Sequence, residues 1–99
     1  MIDLLSKIYV DLNELVIRKV PHDKEILSTR VIKEHTKICE YCFNIKSSNK
    51  DKNYMLEFKV SIKYILFILN YFVSKKIINN DVYKIIEKEY KDLYYIINP

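Results

Sequence analysis

The 99 residues of this chain suffice for one small domain with a single core, and the shares of apolar residues (49%) and charged residues (30%) are those of a globular protein. Glycine is absent, which argues against all-β folds, P-loops and dinucleotide-binding turns, because tight hairpins and phosphate-binding loops depend on it. The net charge of +4 permits an acidic partner such as nucleic acid, but it is modest for a dedicated nucleic-acid-binding protein.

The first predicted helix runs from about residue 2 to residue 19. Its apolar residues recur at helical spacing and form one stripe, which consists of Leu4, Leu5, Ile8, Leu12, Leu15 and Val16. Asp3 is the predicted N-cap, because its carboxylate can accept hydrogen bonds from backbone N–H groups of the first turn. Val20 and Pro21 end the helix, since the residue before a proline is disfavoured in the helical region.

The second predicted helix covers about residues 24 to 46, and Asp23 is its predicted N-cap. Its apolar side consists of Ile26, Leu27, Val31, Ile38, Tyr41, Cys42 and Ile45. A polar loop follows at residues 47 to 52. Within that loop, Asn49 favours a left-handed helix end in a chain without glycine, and Asp51 favours the next helix start.

The third predicted helix, about residues 53 to 75, is the most apolar segment of the chain. One face carries Met55, Phe58, Ile62, Ile65, Leu66, Leu69 and Phe72. A second apolar set covers much of the remaining circumference and consists of Val60, Tyr64, Phe67, Ile68, Tyr71 and Val73. A helix that is apolar nearly all round is buried nearly all round. We therefore predict that this helix is central to a bundle and partly covered by another subunit, in a stable oligomer.

Asn79 and Asn80 stop this segment and start the last predicted helix, about residues 81 to 97. That helix is predicted to bury Val82, Ile85, Ile86, Leu93, Ile96 and Ile97. Four helices with short connections predict an all-α fold, namely an antiparallel up-and-down four-helix bundle that forms one domain over residues 1–99.

The sequence predicts neither a membrane span nor a secretion signal. The most apolar run, residues 64–73, has about half the length needed to cross a bilayer. Acidic residues occupy the N-terminal region, where a signal peptide carries basic ones. We therefore expect a cytoplasmic location and no membrane partner.

His35, Cys39 and Cys42 are spaced i, i+4 and i+7, so a thiolate–imidazole metal site on one helix face is geometrically possible. The alternative is that both cysteines pack as small apolar residues. A redox Cys-x-x-Cys motif needs its first cysteine at a helix N-terminus, whereas this pair falls within the helix. Only His22 remains among the histidines and cysteines as a fourth zinc ligand. We therefore predict no metal, no cofactor and no disulfide.

The carboxylates indicate no catalytic arrangement. Glu87 and Glu89 cannot share one helix face, and Glu34 and Glu40 are predicted to belong to an ordinary solvated surface together with neighbouring lysines. No local motif indicates a Ser-His-Asp or Cys-His-Asn set. We therefore expect a protein without enzymatic activity.

Basic residues form three lines, each along one side of a predicted helix. These lines are Arg30, Lys33 and Lys37 on the second helix, Lys52, Lys59 and Lys63 on the third, and Lys84, Lys88 and Lys91 on the fourth. Such a line is commonly a solubilising surface. The alternative is a surface that follows phosphates, which oligomerisation would strengthen by repeating it. The residues predicted to bind nucleic acid are Arg30, Lys33, Lys37, Lys59, Lys63, Lys84 and Lys88.

Two local motifs and the register of the last two helices carry a family resemblance. Lys19-Val20-Pro21 resembles a Lys-Phe-Pro element, and Leu27-Ser28-Thr29-Arg30-Val31 resembles a Leu-Gly-x-Arg-Ile element, with Ser28 in place of the glycine. Leu69 to Ile78, followed by Tyr83, keeps the register of a third helix end, and Leu93 and Ile97 fall at apolar positions of the final helix. The chain thus resembles the four-helix-bundle family of the accessory variability determinant (Avd) of diversity-generating retroelements and of proteins encoded in ribosomal RNA intervening sequences.

This resemblance implies a homopentameric barrel of four-helix protomers with a basic surface and no catalytic centre. An Avd-like protein binds the retroelement reverse transcriptase and its template RNA and supports error-prone cDNA synthesis. From the basic lines we predict binding of RNA or an RNA–DNA hybrid with little sequence preference. Arg30 is the one basic residue that the motif position carries over. Two alternatives stay open, namely an intervening-sequence protein of unsettled activity and a helical adaptor that binds only proteins.

Overall fold

A computed structural model of the protein describes the backbone of residues 1–44 and 52–98. Within these residues the chain forms four α-helices, one short 3-10 helix and no strand. The α-helices are α1, Ile2–Arg18; α2, Glu25–Asn44; α3, Lys52–Ser74; and α4, Asn80–Ile97, and the 3-10 helix His22–Lys24 precedes α2. The predicted all-α class is therefore confirmed, and each α-helix begins within one residue of its predicted start.

The helices pack in chain order around a shared core, α1 against α2, α2 against α3, α3 against α4, and α4 back against α1. Neighbouring helices are antiparallel, as the contacts between them show. Near the end of α2, Tyr41 donates a hydrogen bond to Glu57 near the start of α3 (3.0 Å). At the end of α1, Arg18 and Lys19 line one pocket with Val82 near the start of α4. The result is an elongated four-helix bundle with extents of 41 × 23 × 20 Å.

Most of the core comes from the apolar stripes that the helical spacing predicted, whereas Ile78 and Tyr90 belong to the core without having been predicted. The buried apolar side chains are Leu5, Ile8, Leu12, Leu15, Val31, Ile38, Cys42, Phe58, Ile65, Ile68, Leu69, Phe72, Ile78, Ile86, Tyr90 and Leu93. Burial of a large apolar side chain contributes roughly 1.5–3 kcal/mol each. This cluster therefore supplies the main free energy that holds the four helices together.

Several predicted core positions are wrong for this protomer. Ile26 is 86% exposed, and Ile85 and Ile96 are also exposed, because the neighbouring helices of the protomer leave them uncovered. In this protomer α3 packs against α2 and α4 and keeps an outer face, so its predicted coverage by another subunit stays a prediction. That face bears the exposed apolar side chains Leu56, Val60, Tyr64 and Phe67. The predictions at Ile45, Asn49 and Asp51 lie outside the described residues.

The connection from α3 to α4 satisfies the helix end without glycine. Ile77 N–H donates to the Phe72 carbonyl (2.9 Å), and Lys76 N–H donates to the Val73 carbonyl (3.0 Å). Lys76 takes φ = 61°, the left-handed conformation that a glycine usually supplies at such an end. The pattern is a Schellman motif, in which a lysine accepts the steric cost of its Cβ.

The helix starts follow the predictions in one case of three. The Asn79 side chain accepts a hydrogen bond from Val82 N–H (2.9 Å) and caps α4, as predicted. Asp3 lies inside the first turn of α1, whose N-cap is Met1, and Asp23 lies inside the 3-10 helix. Both carboxylates still interact favourably with the positive N-terminal end of their helix, although neither is its N-cap. No helix in the described part of the chain has the length and apolar character to cross a bilayer.

Candidate nucleic-acid interface

The seven basic residues predicted to bind nucleic acid are all exposed, and the structure divides them between two surfaces. The α2 line consists of Arg30, Lys33 and Lys37 and lies along α2, near its border with α3. The other four residues, Lys59, Lys63, Lys84 and Lys88, belong to α3 and α4, which pack against each other. The structure therefore brings the α3 and α4 lines together but not the α2 line with them.

The α2 line is partly neutralised by a carboxylate. Glu34 is only 5% exposed, and its Oε1 lies 3.3 Å from Arg30 Nε and 3.5 Å from Lys37 Nζ. The Arg30 guanidinium also lies over the Tyr64 ring, 5.0 Å from its centroid. The prediction that Glu34 belongs to a solvated surface is wrong, because Glu34 occupies the border between α2 and α3.

A groove between α3 and α4, here called the α3–α4 groove, combines an apolar floor with basic walls. It encloses about 210 Å³ and is lined by Lys59, Ile62, Lys63, Leu66, Glu87, Tyr90, Lys91, Tyr94 and Tyr95. The lysines come from both helices. The one carboxylate of this lining, Glu87, accepts a hydrogen bond from the Tyr83 hydroxyl (3.4 Å).

Tyr94 is held in place at one end of this groove. Lys59 Nζ lies 5.2 Å from the centroid of the Tyr94 ring, and Asn98 Nδ2 donates to the Tyr94 hydroxyl (3.0 Å). Hydrogen bonds with Lys59 and then with Asn98 lower the pKa of the Tyr94 phenol, because both favour its ionised form. A cation and an aromatic ring are thus presented together at the groove edge.

The outer face of α4 extends the positive charge of this groove. Lys84, Lys88 and Lys91 follow one another at helical spacing and are all exposed. Lys88 Nζ pairs with Asp92 (3.1 Å). Within the described part of the chain, Lys63, Lys84 and Lys91 have no carboxylate partner, and they leave the groove with a surplus of positive charge.

The histidine–cysteine pattern of α2 is part of the core. His35 Nε2 donates to the Leu5 carbonyl (3.1 Å), since a carbonyl only accepts, and Nδ1 therefore accepts from the Tyr90 hydroxyl (2.7 Å). Burial lowers the pKa of His35, and burial raises the pKa of Cys42 to about 12. Both ring nitrogens are engaged and the Cys42 thiol stays protonated, which is the opposite of a redox or ligating arrangement. Among the described residues, no cluster of three His, Cys, Asp or Glu side chains could hold a metal.

A second buried polar cluster was not predicted. Glu89 is 7% exposed, and its Oε2 lies 2.9 Å from Lys7 Nζ, which also contacts Asp11 (3.3 Å). Burial raises the pKa of Glu89, while the hydrogen bonds that Lys7 donates to Glu89 and Asp11 raise the pKa of Lys7. Glu89 immediately precedes the buried Tyr90 and follows Ile86 by three residues. The core spacing of α4 therefore contained the signal for its burial.

Comparisons of this chain with protein families, with characterised proteins and with solved structures found no match. The resemblance to the Avd and intervening-sequence family therefore stays a prediction from the sequence motifs. What the protein binds has to be argued from the charge and shape of its own surfaces.

Proposed function

We propose that this protein is a non-catalytic nucleic-acid-binding protein whose main contact surface is the α3–α4 groove. The observation that carries the proposal is the set of lysines on both walls of that groove, Lys59 and Lys63 on α3 and Lys91 on α4. Lys84 and Lys88 extend this positive charge along the outer face of α4. In the described chain only Lys88 among these five pairs with a carboxylate. Lysines without a carboxylate partner are available to phosphates, and each neutralised phosphate releases counterions.

The α2 line contributes less to binding in this proposal. Arg30 and Lys37 share the Glu34 carboxylate, so a phosphate would have to compete with a buried acceptor that is already in place. Lys33 has no such partner in the described residues, but one lysine gives a single phosphate contact. Nucleic acid therefore binds mainly to the α3–α4 side, and contacts to phosphates carry little sequence preference.

The biological setting that we propose is that of an Avd-type accessory protein, which binds a reverse transcriptase and RNA or an RNA–DNA hybrid in a diversity-generating retroelement. The family resemblance of the Lys19–Pro21 and Leu27–Val31 motifs supports this setting. A homopentamer would repeat the groove around an axis and multiply the phosphate contacts of a protomer that carries only +4. The exposed apolar side chains on α3 supply a reason for such assembly.

A second candidate is a helical adaptor that binds only proteins. Leu56, Val60 and Phe67 favour it, because they leave large apolar side chains exposed on one face of α3. An intervening-sequence protein would share the fold without an assigned activity. Co-purification from native extract distinguishes these candidates from an Avd-type accessory protein. Recovery of a reverse transcriptase with bound RNA supports the Avd type, and recovery of protein partners without nucleic acid supports the adaptor.

The α3–α4 proposal is tested with two matched double variants, Lys63→Gln with Lys91→Gln and Lys33→Gln with Lys37→Gln. Each pair removes two exposed lysines and the same net charge. Affinity for RNA and for an RNA–DNA hybrid is measured over a range of salt concentrations. The groove pair is expected to flatten the slope of log affinity against log salt by about 0.7–0.9 for each lost phosphate contact, and the α2 pair to change it less.

Two results would contradict the proposal. The first is equal loss of affinity in both double variants, which would assign binding to net charge rather than to the groove. The second is wild-type protein that binds neither probe at low salt, which would favour the adaptor. Circular dichroism on all variants checks that the helices are retained.

A further inference from the structure

The α3–α4 groove has a composition that differs from a plain phosphate-binding surface. Its floor is apolar and comprises Ile62, Leu66 and the ring of Tyr90. Lysines alone are sufficient to bind phosphates, whereas an apolar floor makes no favourable contact with a phosphate. The ligand that matches both parts carries negative charge and a flat apolar group close together, as a nucleotide does.

Tyr95 is the residue placed to contact that flat group. Its side chain is 66% exposed at the groove wall, and its hydroxyl makes no hydrogen bond within the described residues. Its ring meets Tyr94 at 69°, with the centroids 6.1 Å apart, so the two rings touch edge to face and do not stack on each other. Tyr94 is in turn held by Lys59 and Asn98, which braces Tyr95 from one side. A braced tyrosine loses little conformational entropy when a ligand binds to it.

We propose that the α3–α4 groove binds single-stranded nucleic acid, with an unpaired base stacked on Tyr95 and the adjoining phosphates held by Lys59, Lys63 and Lys91. This inference rests on the proposed function and adds the form of the ligand and the residue that contacts its base. Every base has a π-face, so stacking on Tyr95 is compatible with binding that does not depend on sequence.

A double helix fits the same groove poorly. The bases of a duplex are stacked on one another, and proteins contact double-stranded RNA through its sugars, its phosphates and its minor groove. The groove volume of about 210 Å³ lies below the roughly 300–1,000 Å³ of ligand pockets and suits one ring-sized group. A duplex lying over the groove would leave both the apolar floor and the exposed Tyr95 ring without a partner.

The test uses the full chain and the fluorescence anisotropy of labelled oligouridylate, oligothymidylate and an RNA duplex with the same number of phosphates. The variants are Tyr95→Ser, Tyr95→Phe and Lys91→Gln. Ile96→Ser serves as the control, because Ile96 is an exposed apolar neighbour on α4 that does not line the groove. All these positions are exposed, and circular dichroism verifies that each variant folds.

We expect Tyr95→Ser to weaken binding of the single strands by about 5- to 150-fold without changing the salt slope, because it removes a stacking contact and no phosphate contact. Tyr95→Phe is expected to stay within about twofold of wild type, since it keeps the ring. Lys91→Gln is expected to flatten the single-strand salt slope by about 0.7. Ile96→Ser should leave the affinity for the single strands unchanged. Tyr95→Ser should leave the affinity for the duplex unchanged.

Three outcomes decide the inference. If Tyr95→Ser binds the single strands like wild type while Lys91→Gln binds them weakly, stacking on Tyr95 is refuted and the proposed function stands. If the duplex binds as tightly as the single strands, the form of the ligand is refuted. If wild-type protein binds none of the probes at low salt, the inference and the proposed function fail together.

Discussion

Replacement of Tyr90 by phenylalanine tests the polar contact that links α2 and α4 inside the core. Tyr90 is 1% exposed, and its hydroxyl donates to His35 Nδ1 at 2.7 Å. The substitution removes one oxygen atom and keeps the ring that packs against the core. His35 Nδ1 is then a buried acceptor without a partner, because Nε2 of the same ring already donates to the Leu5 carbonyl.

The expected cost follows from that orphaned nitrogen. A buried polar atom that loses its only partner costs about 1–3 kcal/mol, more than the net worth of an average hydrogen bond. We therefore expect Tyr90→Phe to lower the free energy of unfolding by about 2 kcal/mol. For a domain of this size, 1 kcal/mol corresponds to roughly 4–8 °C in Tm, so Tm should fall by about 8–16 °C.

The measurement is urea unfolding followed by circular dichroism, with Tyr95→Phe as the matched control. That control deletes the same atom from an exposed ring, and we expect it to change stability by less than about 0.5 kcal/mol. A double-mutant cycle with His35→Leu adds a second criterion. In the His35→Leu background the acceptor is gone, so Tyr90→Phe should cost little. A Tyr90→Phe protein as stable as the control would refute the assignment of this hydrogen bond to stability.

Three further predictions concern pH, a helix end and assembly. Burial lowers the pKa of His35 below its ordinary 6.5, so the unfolded chain binds a proton that the folded chain does not. The free energy of unfolding should therefore fall as the pH drops below about 6.5, and His35→Gln should flatten that part of a series of urea titrations. Lys76→Gly should raise the free energy of unfolding by about 0.5–1 kcal/mol, because glycine adopts φ = 61° without steric cost, and a loss of stability would contradict the Schellman assignment. Native mass spectrometry at micromolar concentration should show an oligomer, with five subunits according to the family resemblance. Phe67→Lys should dissociate it, because the substitution places a charge on the exposed apolar face of α3. Wild-type protein seen only as a monomer would contradict assembly.

The α1 stripe and the Asn79 cap were predictable from local spacing alone. Leu5, Ile8, Leu12 and Leu15 repeat every three or four residues, and all four are buried. An asparagine ahead of a helical pattern caps by a hydrogen bond to a residue three positions on, which needs no information about the rest of the fold.

Glu34 and Glu89 show where residue type misled the interpretation. Glu34 falls between Val31 and Ile38 on the core spacing of α2, and Glu89 adjoins Tyr90 on α4. Because carboxylates are mostly exposed, their residue type predicts a surface position where the periodicity indicates the core. Each carboxylate is accommodated by a cation beside it. The partner of Glu34 is Arg30, four residues earlier on the same helix, whereas Lys7 and Glu89 join α1 and α4, and that pair cannot be predicted from one helix alone.

Ile26, Ile85 and Ile96 show the opposite case, in which apolar residues of a predicted helix stripe are exposed. An apolar residue on a predicted helix indicates burial only when a neighbouring helix covers its face. In a ring of four helices, each helix has an outer face, so the apolar character of α3 did not place it at the centre. Which apolar residues face outward depends on how the helices are rotated against one another, and the spacing within one helix leaves that rotation open.

The hydrogen bond from Tyr90 to His35 and the contact of Lys7 with Glu89 join residues that are 55 and 82 positions apart in the chain. Closing loops of that length costs more entropy than forming the α2–α3 hairpin, so we expect these contacts to form late on the folding pathway. Until α4 docks, His35 Nδ1 has no Tyr90 hydroxyl to accept from. We expect Tyr90→Phe to accelerate unfolding while leaving the folding rate nearly unchanged, with a φ-value near zero. The contacts of α4 with α1 and α2 are therefore expected to determine the unfolding rate, and with it the lifetime of the folded bundle.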